Sequence, residues 1–264
     1  MDGKFNLLYK GIKNPIKALR YISALVDNKL KLTENAKVSE GGERLIIKNW
    51  HSAKNSRDFV TLAHIKRYEW VLHHINGLQC LDAGCGSGYG TYYLAKNDVS
   101  RIIGVDISSD AIKFAKKHWK EENLEFIQMD ARNLKFRDNF FDAIISFDVL
   151  EHLDEVYQNK FISELSRVLN VGGTLYIGCP NATVSLGNNS HHLKELTKIE
   201  FECLLQKYYG NIKILGQEIS INSKRQKENW FKCLSNLSYQ NIIVVEEDLD
   251  FTFGLIAICK NPKK

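Results

Sequence analysis

Asp148-Val-Leu-Glu151-His152 sets two carboxylates and an imidazole close together in the chain. In a helix, positions i, i+3 and i+4 share one face, so these three side chains could converge. Two more imidazoles follow at His191 and His192, ahead of Leu-Lys-Glu-Leu-Thr-Lys-Ile-Glu-Phe201. Groups of this kind can take a proton from a hydroxyl. His152 or His192 is then the candidate general base, with Asp148 beside them. A purely structural reading stands next to this one. Asp-x-x-Glu is also a capping-box-like pattern at a helix start, and His152 could simply pack beneath a neighbouring loop.

The second chemical feature is Gln79-Cys-Leu-Asp-Ala-Gly-Cys-Gly-Ser-Gly-Tyr-Gly90, a short apolar run ending in Asp82 and then Gly84, Gly86 and Gly88. This is a strand entering a glycine-rich turn that opens a helix, where a ligand can lie against bare main chain. The dinucleotide pattern G-x-G-x-x-G would need glycine where Tyr89 stands. An acid at Asp82 would repel a pyrophosphate but suits a ligand carrying an ammonium and a sulfonium. The ligand inferred from this loop is S-adenosylmethionine.

Strands are expected at 79–82, 101–106, 124–129, 142–147 and 173–179, with helices near 88–96, 109–119 and 154–169 between them. A helical pattern covers 58–74, another 196–209, and two final strands are expected at 212–217 and 253–259. Such alternation predicts an α/β, Rossmann-like parallel sheet with helices on both faces. Ligands of such sheets sit beyond the carboxyl ends of the strands, where strand order reverses. Asp106 ends the second strand and can accept from a ribose diol, or cap the helix at Ser108–Ser109. Asp130 follows the third strand and can accept from an adenine amino group, with Ile107 and Ala131 against the ring. Phe147 ends the fourth, near the methionine chain of the ligand or in the core. Arg67 reads as a possible carboxylate contact or a surface arginine.

Residues 81–88 resemble the first motif of class I S-adenosylmethionine-dependent methyltransferases. The similarity continues in order through Gly104-Val-Asp-Ile107, Met129-Asp-Ala131, Phe141 to Leu153 and Arg167-Val-Leu-Asn-Val-Gly-Gly173. It implies strand order 3-2-1-4-5-7-6 with an antiparallel last pair. Acid-x-x-Glu-His, completed by a distant His before Thr197-x-x-Glu200-Phe201, is similar to the metal site of small-RNA 3′-terminal 2′-O-methyltransferases. Ubiquinone-pathway O-methyltransferases carry a similar segment. The resemblance implies that Asp148, Glu151, His152 and His192 hold Mg²⁺ or Mn²⁺, which could chelate a vicinal diol and lower the pKa of its hydroxyl. This sequence departs at the first position, with Asp where those families usually have Glu.

Base N-methylation usually comes with an Asn/Asp-Pro-Pro-aromatic motif, but Ser146-Phe147-Asp148 stands at that place. Cytosine carbon methylation needs Pro-Cys, and only Cys179-Pro180 is present. Oxygen is therefore the expected acceptor atom. Gly42-Glu-Arg-Leu45, His64-x-x-Arg67-Tyr68 and Asn188-x-x-x-His192-x-x-Glu195 resemble bacterial methyltransferases that accompany glycosyltransferases in surface-glycan pathways. They point to O-methylation of a sugar or small-molecule hydroxyl in glycan biosynthesis. The alternatives are a quinone-type phenol, an RNA 2′-hydroxyl, and a non-catalytic cofactor-binding subunit that activates a partner. Nucleic acid is disfavoured because no aromatic-basic interleaving is evident.

The 264 residues, 44% hydrophobic and 25% charged, fit one large α/β domain. Residues 1–57 read as an N-terminal helical extension and linker or lid, 58–264 as the methyltransferase domain, and 221–240 as an insertion before the last strand. Asn14-Pro15 looks like the start of a helix with an apolar stripe through Leu25 and Val26. That helix packs on the body or a twin subunit, or lies on a membrane surface. No apolar run is long enough to span a bilayer, no signal-peptide layout is seen, and the six cysteines lack zinc-ligand spacing. These features predict a cytoplasmic protein with reduced thiols. The net charge of +5, with lysines near both ends, reads as solvation of exposed faces or as affinity for an anionic partner. Oligomeric state is not encoded legibly.

Overall fold

A computed structural model describes residues 45–56, 58–185, 189–220 and 238–263. The expected N-terminal helix, the Gly42-Glu-Arg segment, Asn188 and most of the 221–240 insertion lie outside the described residues.

Eight strands form one sheet: β1 (Gln79–Ala83), β2 (Arg101–Asp106), β3 (Leu124–Gln128), β4 (Phe141–Phe147), β5 (Leu169–Pro180), β6 (Tyr209–Ile219), β7 (Ile242–Val245) and β8 (Gly254–Pro262). Their order is β3-β2-β1-β4-β5-β8-β6-β7. The first five are parallel, and β8 enters antiparallel between β5 and β6. The predicted order is therefore reproduced, with one strand added. Ile242–Val245 pairs antiparallel with the end of β6 at the sheet edge.

Alternation along the strands sends side chains to two cores. Leu81, Ala83, Ile103, Val105 and Ile144 face one layer; Cys80, Ile102, Ala143, Ile145 and Phe147 face the other. Helix α1 (Trp50–Lys54), α2 (Phe59–Leu72), α3 (Tyr89–Ala95) and α4 (Ser109–His118) contribute to the second layer. Helices α5 (Glu155–Val168) and α6 (Lys198–Gln206) contribute to the first. From α5, Phe161, Ile162, Leu165 and Val168 are buried, each side chain worth about 1.5–3 kcal/mol relative to exposure.

Local chemistry starts these helices where the sequence places them. Asp58, Ser108 and Asp154 each cap a first turn by accepting from the backbone N–H three residues on. Thr197 and Glu200 form a reciprocal capping box on α6. Asp154, not Asp148, is thus the cap of α5. Residues 45–56, which the sequence presented as the end of a linker, are folded against the domain. Trp50 stacks on Tyr93 at 3.8 Å, Lys54 pairs with Glu69 at 3.0 Å, and Ile47 and Ala53 are buried. Cys80, Cys85, Cys179 and Cys259 are buried free thiols, while the free Cys203 is exposed. Among the described residues no helix is long and apolar enough to cross a membrane.

Candidate functional site

Strand order reverses between β1 and β4, and the glycine loop leaves β1 at that point. Gly84, Gly86 and Gly88 all have positive φ. A Cβ on Gly84 would lie 2.3 Å from Val149 Cγ2, whereas one on Gly86 would meet nothing within 4 Å. The loop therefore packs on the turn after β4 at one glycine and leaves an open shelf at the next. Gly84 and Cys85 N–H groups donate to the Val105 carbonyl. Asp106 Oδ2 accepts from Gly86 N at 2.9 Å and its Oδ1 from Ser108 N at 2.9 Å. Asp106 thus ties the loop to β2 just ahead of α4, where Ser108, not Asp106, is the helix cap. Each Asp106 carboxylate oxygen keeps a lone pair that a ribose diol could use.

The other cofactor candidates divide. Ile107 projects from the strand end with 60% of its surface exposed, an unpartnered apolar face beside Asp106. Ala131 is half-buried. Asp130 is engaged by Arg132 through Nε and Nη2 at 2.8–3.1 Å, and those bonds hold its carboxyl below its usual range. An adenine amino group would share it with that arginine. Phe147 is buried, edge-on to the Tyr68 ring at 5.4 Å, so it is a core aromatic.

Asp82 requires a correction. It was expected near a ligand ammonium, and its side chain has no exposed surface with which to touch one. Thr91 Oγ1 donates to it at 2.7 Å and Tyr68 Oη at 3.2 Å. Burial pushes its pKa up to about 7, against the lowering effect of those two hydroxyls. Asp82 acts from beneath the loop, as the anchor for α2 and α3.

Asp148 requires another. The turn after β4 is a short 3-10 segment, Leu150–His152, so α-helical convergence does not apply. Asp148 stands before it with φ +56°. The Arg67 guanidinium holds both carboxylate oxygens, Nη1 to Oδ1 at 2.5 Å and Nη2 to Oδ2 at 2.7 Å. His64 Nε2 adds a third contact at 2.7 Å. Burial alone would raise the Asp148 pKa, but Arg67 and His64 overcome it and hold the carboxyl far below the carboxylate range. Arg67, read as either a carboxylate contact or a surface arginine, is only 6% exposed, so the surface alternative falls. Tyr89, the first residue of α3, shares a 2.6 Å hydrogen bond with His64 Nδ1. Spacing alone could have suggested this group, since His64, Arg67 and Tyr68 lie at i, i+3 and i+4.

The remaining three candidates do gather. Ligand atoms of Glu151, His152 and His192 lie within 4.8 Å of one another. His152 Nδ1 is 3.0 Å from the His191 carbonyl. A carbonyl only accepts, so Nδ1 carries a proton, and in the neutral imidazole Nε2 keeps its lone pair. His192 Nδ1 bonds Glu195 Oε1 at 2.5 Å and its Nε2 lies 3.0 Å from Asn189 Nδ2. Asn189 Oδ1 accepts from His191 N, which fixes the amide as donor to His192. Glu195 is held below its usual range: burial opposes this, and hydrogen bonds from His192 and Ser185 prevail. Glu151 is buried, its Oε2 has no hydrogen-bond partner, and burial followed by the Asp148 charge pushes it well above the carboxylate range.

Residues 81–177 match the family described as "Methyltransferase domain". The chain is 35% identical over 117 residues to a fatty-acid O-methyltransferase of Mycolicibacterium smegmatis, covering 41% of this chain and 42% of that one. It is 28% identical over 144 residues to a phthiotriol/phenolphthiotriol dimycocerosates methyltransferase of Mycobacterium tuberculosis, covering 50% and 53%. The chain thus spans about half the length of the curated relatives it matches. Among solved structures, an S-adenosylmethionine-dependent methyltransferase of Thermotoga maritima, described as a possible histamine N-methyltransferase, has the same fold. Its TM-score is 0.58 at 16% identity, over 81% of this chain and 93% of that one. Residues 81–177 thus match a methyltransferase domain, and the sheet they belong to has the fold of the S-adenosylmethionine-dependent methyltransferase it resembles.

Proposed function

We propose that this chain is an O-methyltransferase that moves the S-adenosylmethionine methyl group to a hydroxyl of a sugar, glycan or small-molecule acceptor. One observation carries the reading: His152 offers an unspent Nε2 lone pair in the turn that abuts the glycine loop. In the reaction the acceptor oxygen attacks the methyl carbon in line, and the S–C bond breaks toward sulfur. The hydroxyl proton passes to His152 Nε2. His192, oriented by Glu195 and Asn189, faces His152 with ring centroids 5.1 Å apart. In this reading it would align the acceptor.

Glu151 and His152 could hold a divalent cation, with His192 as a third ligand once its Nε2 releases Asn189. The orphaned Glu151 oxygen would gain a partner, and two imidazoles with one carboxylate suit Mn²⁺ better than Mg²⁺. Asp148 is left out of that set because Arg67 and His64 occupy it. A cation held there would supply Lewis-acid lowering of the acceptor hydroxyl pKa.

A second reading rests on two relatives, whose named acceptors are a fatty acid and phthiotriol/phenolphthiotriol dimycocerosates. The same base would serve a lipid hydroxyl or carboxyl. The test is incubation with labelled S-adenosylmethionine and a panel of oligosaccharides, glycolipids, phenols, RNA and fatty acids, with chelator or with added Mn²⁺. Label on a sugar hydroxyl supports the first reading and label on a lipid acceptor the second. Donor binding without transfer to any acceptor overturns both in favour of a non-catalytic subunit. Full turnover in chelator removes the cation.

A further inference from the structure

Helix α2 touches both halves of the site. On the donor side, the Tyr68 ring fills the space over Gly90, where a Cβ would come within 2.1–2.4 Å of it, and its hydroxyl reaches Asp82. On the acceptor side, Arg67 and His64 hold Asp148, whose left-handed φ of +56° is a conformation that L side chains adopt rarely. From Asp148 the chain runs directly into Val149, which packs on Gly84, and on to His152. The Glu151 carbonyl in turn accepts from Leu193 and Lys194 N–H, so the loop bearing His192 hangs on the same turn.

Asp148 has only acceptors to offer, so His64 Nε2 carries a proton toward it, and His64 Nδ1 shares a 2.6 Å hydrogen bond with the Tyr89 hydroxyl. Tyr89 follows Gly88 at the end of the glycine loop. An uninterrupted path therefore leads from the loop's last glycine through Tyr89, His64 and Asp148 to the turn carrying the base, braced by Arg67.

We propose that Tyr89, His64 and Arg67 are positioning residues that couple the donor loop to the acceptor turn, so that a filled loop sets the place of His152. The inference rests on His152 facing the acceptor, but its main test needs no turnover. The imidazole signals of His152, assigned with a His152→Gln variant, are followed by NMR while S-adenosylhomocysteine is titrated into the full chain. In the unaltered chain the His152 signals should move with the same midpoint as binding measured by calorimetry. In Tyr89→Phe, which keeps the ring and loses the hydroxyl, binding should stay within about threefold while the His152 displacement falls by half or more. With an active acceptor in hand, Tyr89→Phe should lower kcat about fivefold, the scale of one lost hydrogen bond, with KM for the acceptor unchanged. Asp148→Asn should lower kcat further, and the double variant should do no worse than Asp148→Asn alone. The coupling is overturned if Tyr89→Phe leaves the His152 response intact, or if the two substitutions act additively. Absence of turnover with every acceptor would sink the proposed function and leave the NMR comparison standing.

Discussion

Alanine at Gly86 and alanine at Gly90 should have opposite consequences, although the two positions are only four residues apart in the chain. Gly86 has φ +53° and its Cβ would enter open space. The N–H that donates to Asp106 survives the substitution. Left-handed backbone with a side chain costs about 1–2 kcal/mol, and the stiffer unfolded chain returns about 0.4–1 kcal/mol. The net loss is at most about 1.6 kcal/mol, a fall in Tm of no more than about 6 °C for a domain of this size. The added methyl, however, occupies the shelf assigned to the donor, so Kd for S-adenosylhomocysteine should rise at least about tenfold. Gly90 presents the reverse case. Its Cβ would lie 2.1–2.4 Å from three atoms of the Tyr68 ring, a buried ring also wedged against Phe147 and Tyr89. Overpacking of that kind costs about 1–3 kcal/mol or more, so Gly90→Ala should lower Tm clearly further than Gly86→Ala. Thermal melts paired with calorimetric titration separate the two. Unchanged donor affinity in Gly86→Ala would refute the assignment of the shelf, and a wild-type melt for Gly90→Ala would refute the packing argument.

Other outcomes follow from the same geometry. Asp106→Ala removes the acceptor for Gly86 and Ser108 N–H groups, and donor affinity measured by titration should fall about tenfold or more. His152→Ala and His192→Ala should leave donor affinity within a few-fold and cut turnover by about a hundredfold; loss of donor binding instead would contradict the division of the site. Manganese uptake, read by elemental analysis after dialysis, should be lost in Glu151→Gln, whereas equal uptake would exclude that residue as ligand. Asp82 titrates at about 7 in the fold and about 3.9 unfolded. Between those values the folded chain holds a proton that the unfolded chain has released. The contribution is whole below about pH 4 and is lost as pH rises through 7, by up to about 4 kcal/mol. The fall in Tm between about pH 5 and 8 should be shallower in Asp82→Asn; equal slopes would contradict the burial argument.

The sheet was legible because its first four strands carry their own signal, an apolar run closed by an acid, and the helices are opened by Asp58, Ser108, Asp154 and Thr197. Strand β7 escaped despite its β-branched Ile-Ile-Val-Val, because it is four residues long and follows a segment with no periodic pattern. The packing of residues 45–56 escaped because it depends on aromatic contacts with α2 and α3 that no local pattern records. At the site, the gathering of Glu151, His152 and His192 was readable from motif order. The loss of Asp148 from that group was not. It depends on a 3-10 turn replacing an α-turn, and on Arg67, 81 residues earlier in the chain. Asp82 was read as lying near the ligand, and its burial went unseen because sequence does not show which side of a strand end a flanking helix will cover.

Isothermal titration of the purified chain with S-adenosylmethionine, and with its demethylated product, tests the central claim most directly. Saturable binding of one equivalent, weakened at least about tenfold by Gly86→Ala, is the predicted result. No heat of binding with either compound, from protein that melts cooperatively, would contradict it.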